Sequence, residues 1–231
     1  MTQFVTRQEN APETAPGLRE FTADWSGDQE AFRHVHWGKA MMWIFLLSDT
    51  FIFSCFLVSY MTMRSSTTVP WPNPSEVFAL NIGGQPIPLI LIAIMTFVLI
   101  SSSGTMAMAV NFGYRRNRKV TGALMLATAL LGASFVSMQA FEWHKLIFEE
   151  GVRPWGNPMG AAQFGASFFM ITGFHGLHVS IGVIMLLIVA SKVARGHYDR
   201  AGDYSAVEIA GLYWHFVDLV WVFIFAFFYL W

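Results

Sequence analysis

The chain is short of charge and nearly without cysteine. Only 13% of its 231 residues are Asp, Glu, Lys or Arg, about half the share usual in soluble domains. The formal net charge is −1, so no basic surface points to a nucleic-acid partner. The single cysteine, Cys55, excludes an internal disulfide and any paired-thiolate site for zinc or dinuclear copper. A CxxCH haem-attachment motif is also missing. No short basic segment followed by an apolar core and a small-residue cleavage site opens the chain, so no cleaved signal peptide is expected.

What is abundant is apolar. Hydrophobic residues make up 55% and aromatics 16%, with 22 Phe and 9 Trp. A polar stretch, residues 1–36, reads as a cytoplasmic tail. The remainder, 37–231, holds five runs near the length of about 20 residues that a helix needs to cross a bilayer. They cover about 40–63, 87–110, 120–141, 161–191 and 209–231. None alternates with period two, which excludes a barrel. The expected fold is therefore all-α: a membrane bundle of five transmembrane helices. Breaks carrying Pro70, Pro72 and Pro74, Gly83-Gly84, the 114–119 basic stretch, Gly151 to Pro158 and Arg195 to Asp203 separate the runs as turns do.

Lys and Arg set the orientation. Eleven fall on the side of the N-terminus and of the second and fourth loops, and three (Arg64, Lys145, Arg153) on the other. The N-terminus is expected in the cytoplasm and the C-terminus outside. Trp37, Trp43, Trp71, Trp155, Tyr229 and Trp231 stand near span ends and read as interfacial aromatics. Small residues, among them Gly104, Gly132, Gly173 and Gly182, are candidate helix contacts.

Ionisable groups at membrane depth are costly and face protein or a water cavity. Asp49 lies in the first span, either as a proton-linked or head-group-contacting carboxylate or hydrogen-bonded to a neighbouring helix. Gln139 and Glu142 share a face of the third span, with Lys145 one turn on, and read as a surface pair near the interface. His175 and His178 are three apart on the fourth span; metal ligation is weakly supported and hydrogen-bonded structural histidines fit better. On the fifth span His215 and Asp218 are three apart, and Trp214, Asp218 and Trp221 share a face. Spacing yields a bundle with buried His and carboxylates and no cofactor site.

Four blocks carry a resemblance. Tyr213-Trp214-His215-Phe216-Val217-Asp218 resembles the last-helix signature of cytochrome c oxidase subunit III, and the 172–179 stretch TGFHGLHV resembles that family's signature on the preceding helix. Gln139-Ala140-Phe141-Glu142-Trp143 is similar to its QxxEY/W segment. Leu47-Ser48-Asp49-Thr50-Phe51-Ile52-Phe53 is similar to its SE-V-FF segment, with Asp for the usual Glu. The resemblance implies a core subunit of a proton-pumping haem-copper terminal oxidase in a bacterial-type plasma membrane, without a redox centre of its own. Haem and copper are then expected in partner subunits. Subunit I is the direct partner, subunit II belongs to the same complex, and phospholipids bind. Asp49 matches the family's buried membrane carboxylate, and Glu142, His175, His178, His215 and Asp218 its intramembrane polar set; none is catalytic. Seven-helix members carry two further helices at the N-terminus, and this chain starts at what would be the third. Other readings are a subunit III of a quinol oxidase or of a nitric oxide reductase-associated relative, a metalloenzyme using His175, His178 and His215, or a proton-linked transporter using Asp49 and Asp218.

Overall fold

The computed structural model describes residues 36–82 and 85–230. The chain divides into Met1–His36 and Trp37–Trp231; the tail expected at 1–36 lies, except for His36, outside the described residues. The second unit contains α1 (Trp37–Ser66), α2 (Pro74–Val77), strands β1 (Ala79–Ile82) and β2 (Gln85–Pro88), α3 (Ile90–Tyr114), α4 (Arg118–Phe148), α5 (Ala162–Ala194), α6 (His197–Ala201) and α7 (Ser205–Phe225). A π-helical turn, Ala226–Leu230, extends α7.

Five of these helices, α1, α3, α4, α5 and α7 with its extension, are long and apolar enough to cross a membrane. In hydrocarbon a helix satisfies its own backbone, which is why sustained apolar runs adopt it. The 31 residues of α4 give about 47 Å of helix, well beyond a hydrocarbon core of about 30 Å. This exceeds the expected 120–141 run and carries Glu142 and Lys145 as helical residues.

The helices α3, α4, α5 and α7 pack as a ring, each against the next, and α1 leans on α5 and α7. Accordingly α1 is the most exposed span. Trp37, Ile44, Leu47, Phe51 and Val58 point outward from it, while Leu46, Asp49, Phe53, Leu57 and Tyr60 point inward at spacings of three and four.

At one end of the bundle lie the N-termini of α1, α4 and α7 and the C-termini of α3 and α5; here Asn117 caps α4 through its side chain, accepting from the Val120 amide at 3.4 Å. Arg118 lies 3.9 Å from Asp199, and Lys39 pairs with Glu208 at 2.5 Å. Tyr204 donates to Asp199. Burial first, and then that carboxylate, push the Tyr204 phenol up to about 12.

The opposite end is a layer of packed loops. The first loop is more than a turn: β1 and β2 form a two-stranded antiparallel hairpin with Leu80 opposite Ile87. Two prolines in β2 suit an edge strand, which needs no donor on its outer side. The Ala161 amide donates to the Pro70 carbonyl at 3.2 Å, joining the α1–α3 loop to the α4–α5 loop. Gly160 allows this closeness, because a Cβ there would run into the Pro70 carbonyl, and a Cβ on Gly165 would likewise run into the Arg153 carbonyl. Trp71, expected at the interface, packs instead edge-on between Tyr60 and Phe164. Trp155 remains exposed.

Candidate functional site

The polar side chains at membrane depth do not converge on one centre. They form separate links between helices, each built from groups on different spans.

Asp49 of α1 meets His178 of α5, with the His178 Nε2 2.8 Å from the Asp49 Oδ2. Both residues are buried, Asp49 to 4% exposure. The other ring nitrogen, Nδ1, lies 2.8 Å from the Phe174 carbonyl oxygen one turn earlier. A carbonyl only accepts, so Nδ1 carries a proton. Nε2 and the carboxyl oxygen approach closely enough for a proton to lie between them, as imidazolium with carboxylate or as imidazole with carboxylic acid. Both forms have zero net charge, which limits the desolvation cost of placing two ionisable groups in hydrocarbon. The Tyr213 hydroxyl of α7 donates to the His178 backbone carbonyl at 3.0 Å. Rings of Phe53 and Phe174 pack on the imidazole, with centroids at 5.6 and 4.7 Å. Three helices, α1, α5 and α7, thus meet at His178.

His175, one turn from His178, has no share in that link. It is 1% exposed, and neither ring nitrogen has a hydrogen-bond partner among the described residues. Its ring stacks on Trp221 at 5.3 Å and meets Phe135 edge-on at 5.9 Å. The two histidines share a helix face and have separate environments.

On α7, His215 Nδ1 is hydrogen-bonded to the Ser103 hydroxyl of α3 at 2.6 Å. Asp218 is half-buried beside the same serine. Trp214 and Trp221 face the core with their indole N–H groups bonded to α3: Trp214 to Ser102 at 2.9 Å and Trp221 to Thr96 at 3.0 Å. Helix α3 has no ionisable residue up to Tyr114, yet it supplies Thr96, Ser102 and Ser103 as partners. Charge was an insufficient guide here; a run of hydroxyls (Ser101 to Ser103, Thr105) in an otherwise apolar span was the available signal.

Glu142 overturns the surface reading. It is 3% exposed, accepts from the Gln139 amide at 2.7 Å, and accepts from the Tyr229 hydroxyl at 3.2 Å. The reason is the length of α4 and the π-helical turn at 226–230, which carries Tyr229 inward from where an interfacial aromatic was expected. Lys145 is buried as well and donates to the Ala79 carbonyl at the hairpin, with Glu150 at 3.6 Å.

Among the described residues the nitrogen and carboxylate donors are spread over separate links. Both nitrogens of His178 are engaged, His175 is walled by aromatic rings, and no group of three or more His, Cys, Asp or Glu converges among the described residues. The arrangement can hold helices together and hold protons in buried pairs.

Comparison with known proteins follows the same lines. The family model described as cytochrome c oxidase subunit III matches residues 22–231. The chain is 32% identical over 206 residues to a cytochrome c oxidase subunit 3 of Rhipicephalus sanguineus, covering 86% of this chain and 74% of that one. It is also 32% identical over 189 residues to a probable quinol oxidase subunit 3 of Staphylococcus aureus, covering 81% and 85%.

Proposed function

Because the chain belongs to the cytochrome c oxidase subunit III family, we propose that it is the non-catalytic third core subunit of a proton-pumping oxidase that passes electrons from cytochrome c to oxygen. That it is subunit III of a haem-copper oxidase, a multi-pass membrane protein within a larger complex, follows from the family match and the five spans. The finer reading is that it packs directly on subunit I, shares the complex with subunit II, binds phospholipid, and supports proton uptake and the working life of the enzyme. Haem and copper then reside in the partner subunits. The membrane is a bacterial-type plasma membrane, with the N-terminal end of the bundle in the cytoplasm.

One observation supports the non-catalytic role most directly. Asp49, Glu142, His178 and His215 are bonded to other side chains or carbonyls of this chain rather than turned toward a common reaction centre. Trp214 likewise serves packing, through its bond to Ser102.

The test is purification from gently solubilised membranes, followed by assay with reduced cytochrome c and with a quinol. Co-purification with a haem-bearing subunit and oxidation of cytochrome c are expected. Oxidation of quinol alone would establish the second reading, a quinol-oxidase subunit, which the Staphylococcus aureus relative favours. Recovery of the chain unaccompanied would refute both.

A further inference from the structure

A groove runs along the seam between α4 and α5 at the end of the bundle where the basic residues gather. Its volume is about 550 Å³, within the range of sites that enclose small ligands. Small side chains make the recess: Gly122 and Ala123 from α4, Ala190 and Ala194 from α5. Leu126 and Leu187 continue it toward the middle of the membrane. The recess is not a packing necessity, since a Cβ on Gly122 would meet its nearest neighbour, Val193, at an ordinary 3.7 Å.

The mouth has the opposite character. Arg118 and Lys119, both exposed, close the groove at its loop end. Arg118 is directed across the seam: its guanidinium lies over Gly196, where a Cβ would come within 2.6 Å of Nη1. Gly196 also has φ +72°, a conformation that L side chains rarely adopt. Asp199 lies 3.9 Å from the Arg118 Nε and also accepts from Tyr204, so it offsets one charge at most. Two cations against one carboxylate leave the mouth positive.

We propose that this seam is a binding site for an anionic phospholipid, with one acyl chain in the α4–α5 groove and the phosphate against Arg118 and Lys119. The gradient from cations through small residues to leucines matches the gradient from headgroup to chain in such a lipid, and basic side chains at a membrane surface favour anionic headgroups. The site rests on the reading of the chain as a membrane subunit and assigns one lipid a place within it.

The test uses the purified complex, delipidated and titrated with phosphatidylglycerol or with phosphatidylcholine of the same chains, with bound lipid counted by native mass spectrometry. Counts are taken per copy of this chain, so the result stands whichever subunits accompany it. Three variants are compared: Arg118→Gln with Lys119→Gln, Lys119→Gln alone, and Arg115→Gln with Arg200→Gln as a charge-matched control at the same end of the bundle that does not line the groove. Phosphatidylglycerol is expected to bind the wild type in preference to phosphatidylcholine. Its affinity should fall roughly tenfold or more in the double variant, from the usual contribution of basic side chains at an anionic surface, and by less in Lys119→Gln. The control should retain it. A fourth variant, Ala123→Leu, fills the groove from its exposed side and should weaken both lipids. Absence of preference in the wild type, or an equal loss in the control, would show general lipid association only and overturn the site. No lipid bound even in the wild type would mean that a partner segment covers the seam, which overturns it equally.

Discussion

At the residue scale, the buried pair of Asp49 and His178 is the feature with the clearest consequence. Removing one partner of a buried ion pair in a soluble protein costs several kcal/mol. Inside a bilayer the measured interactions between helices are smaller, about 0.6 kcal/mol on average and rarely above 2, because the separated helices find other partners. The smaller figure applies to α1, which lies at the edge of the bundle. Asp49→Ala is therefore expected to assemble and to show near-normal initial turnover, with a shorter active lifetime during sustained turnover. Asp49→Asn keeps a hydrogen-bonding side chain close to His178 but cannot ionise, and should behave as Ala does if the carboxyl's charge matters and as wild type if only packing does. Oxygen consumption followed to inactivation decides between them; lifetimes equal to wild type in both variants remove Asp49 from function.

At the scale of elements, Trp214 determines how four helices meet. Its indole stands on α7, a Cβ on Gly182 of α5 would come within 3.0 Å of the ring, one on Gly132 of α4 would overlap it, and its N–H reaches Ser102 of α3. Gly132→Val should therefore push α4 away from α7 and cost about 1–3 kcal/mol, the usual penalty for overpacking. Trp214→Phe keeps most of the buried ring and loses one hydrogen bond, about 1 kcal/mol; Ser102 still donates to the Leu99 carbonyl. The expected order in thermal inactivation of the purified complex is wild type, then Trp214→Phe, then Gly132→Val as the least stable. The reverse order would mean that the indole is not the spacer between these helices.

For the whole molecule, the distribution of charge carries the prediction. Among the described residues, Lys39, Arg115, Arg116, Arg118, Lys119, Lys192, Arg195 and Arg200 lie at or near the helix ends on the N-terminal side of the bundle, and Arg64, Lys145 and Arg153 at the opposite end. The excess should place the first end in the cytoplasm. Alkaline phosphatase fused after the last residue is expected to be active, and green fluorescent protein inserted between α5 and α7 to fluoresce. Activity with the reporters exchanged would invert the orientation. The outward apolar residues of α1 belong to this scale too, since a face of Trp37, Leu47 and Phe51 is compatible only with lipid or another apolar surface.

The number of spans, the family and the presence of ionisable groups within the spans were legible in the linear sequence, because hydrocarbon thickness and the cost of charge within it act on each segment separately. Partners were not. Asp49 and His178 are 129 positions apart and Ser103 and His215 112, and helix periodicity states which face a residue occupies without stating what that face meets. Burial at span ends was the other gap: Glu142, Lys145, Tyr229 and Trp71 read as interfacial. They are enclosed because α4 runs past the hydrocarbon, α7 ends in a π-helical turn, and the loops at that end fold onto them. Apolar length determines that a segment crosses the membrane, whereas the packing of helices against one another decides which of its polar groups are paired, and that depends on all five spans at once.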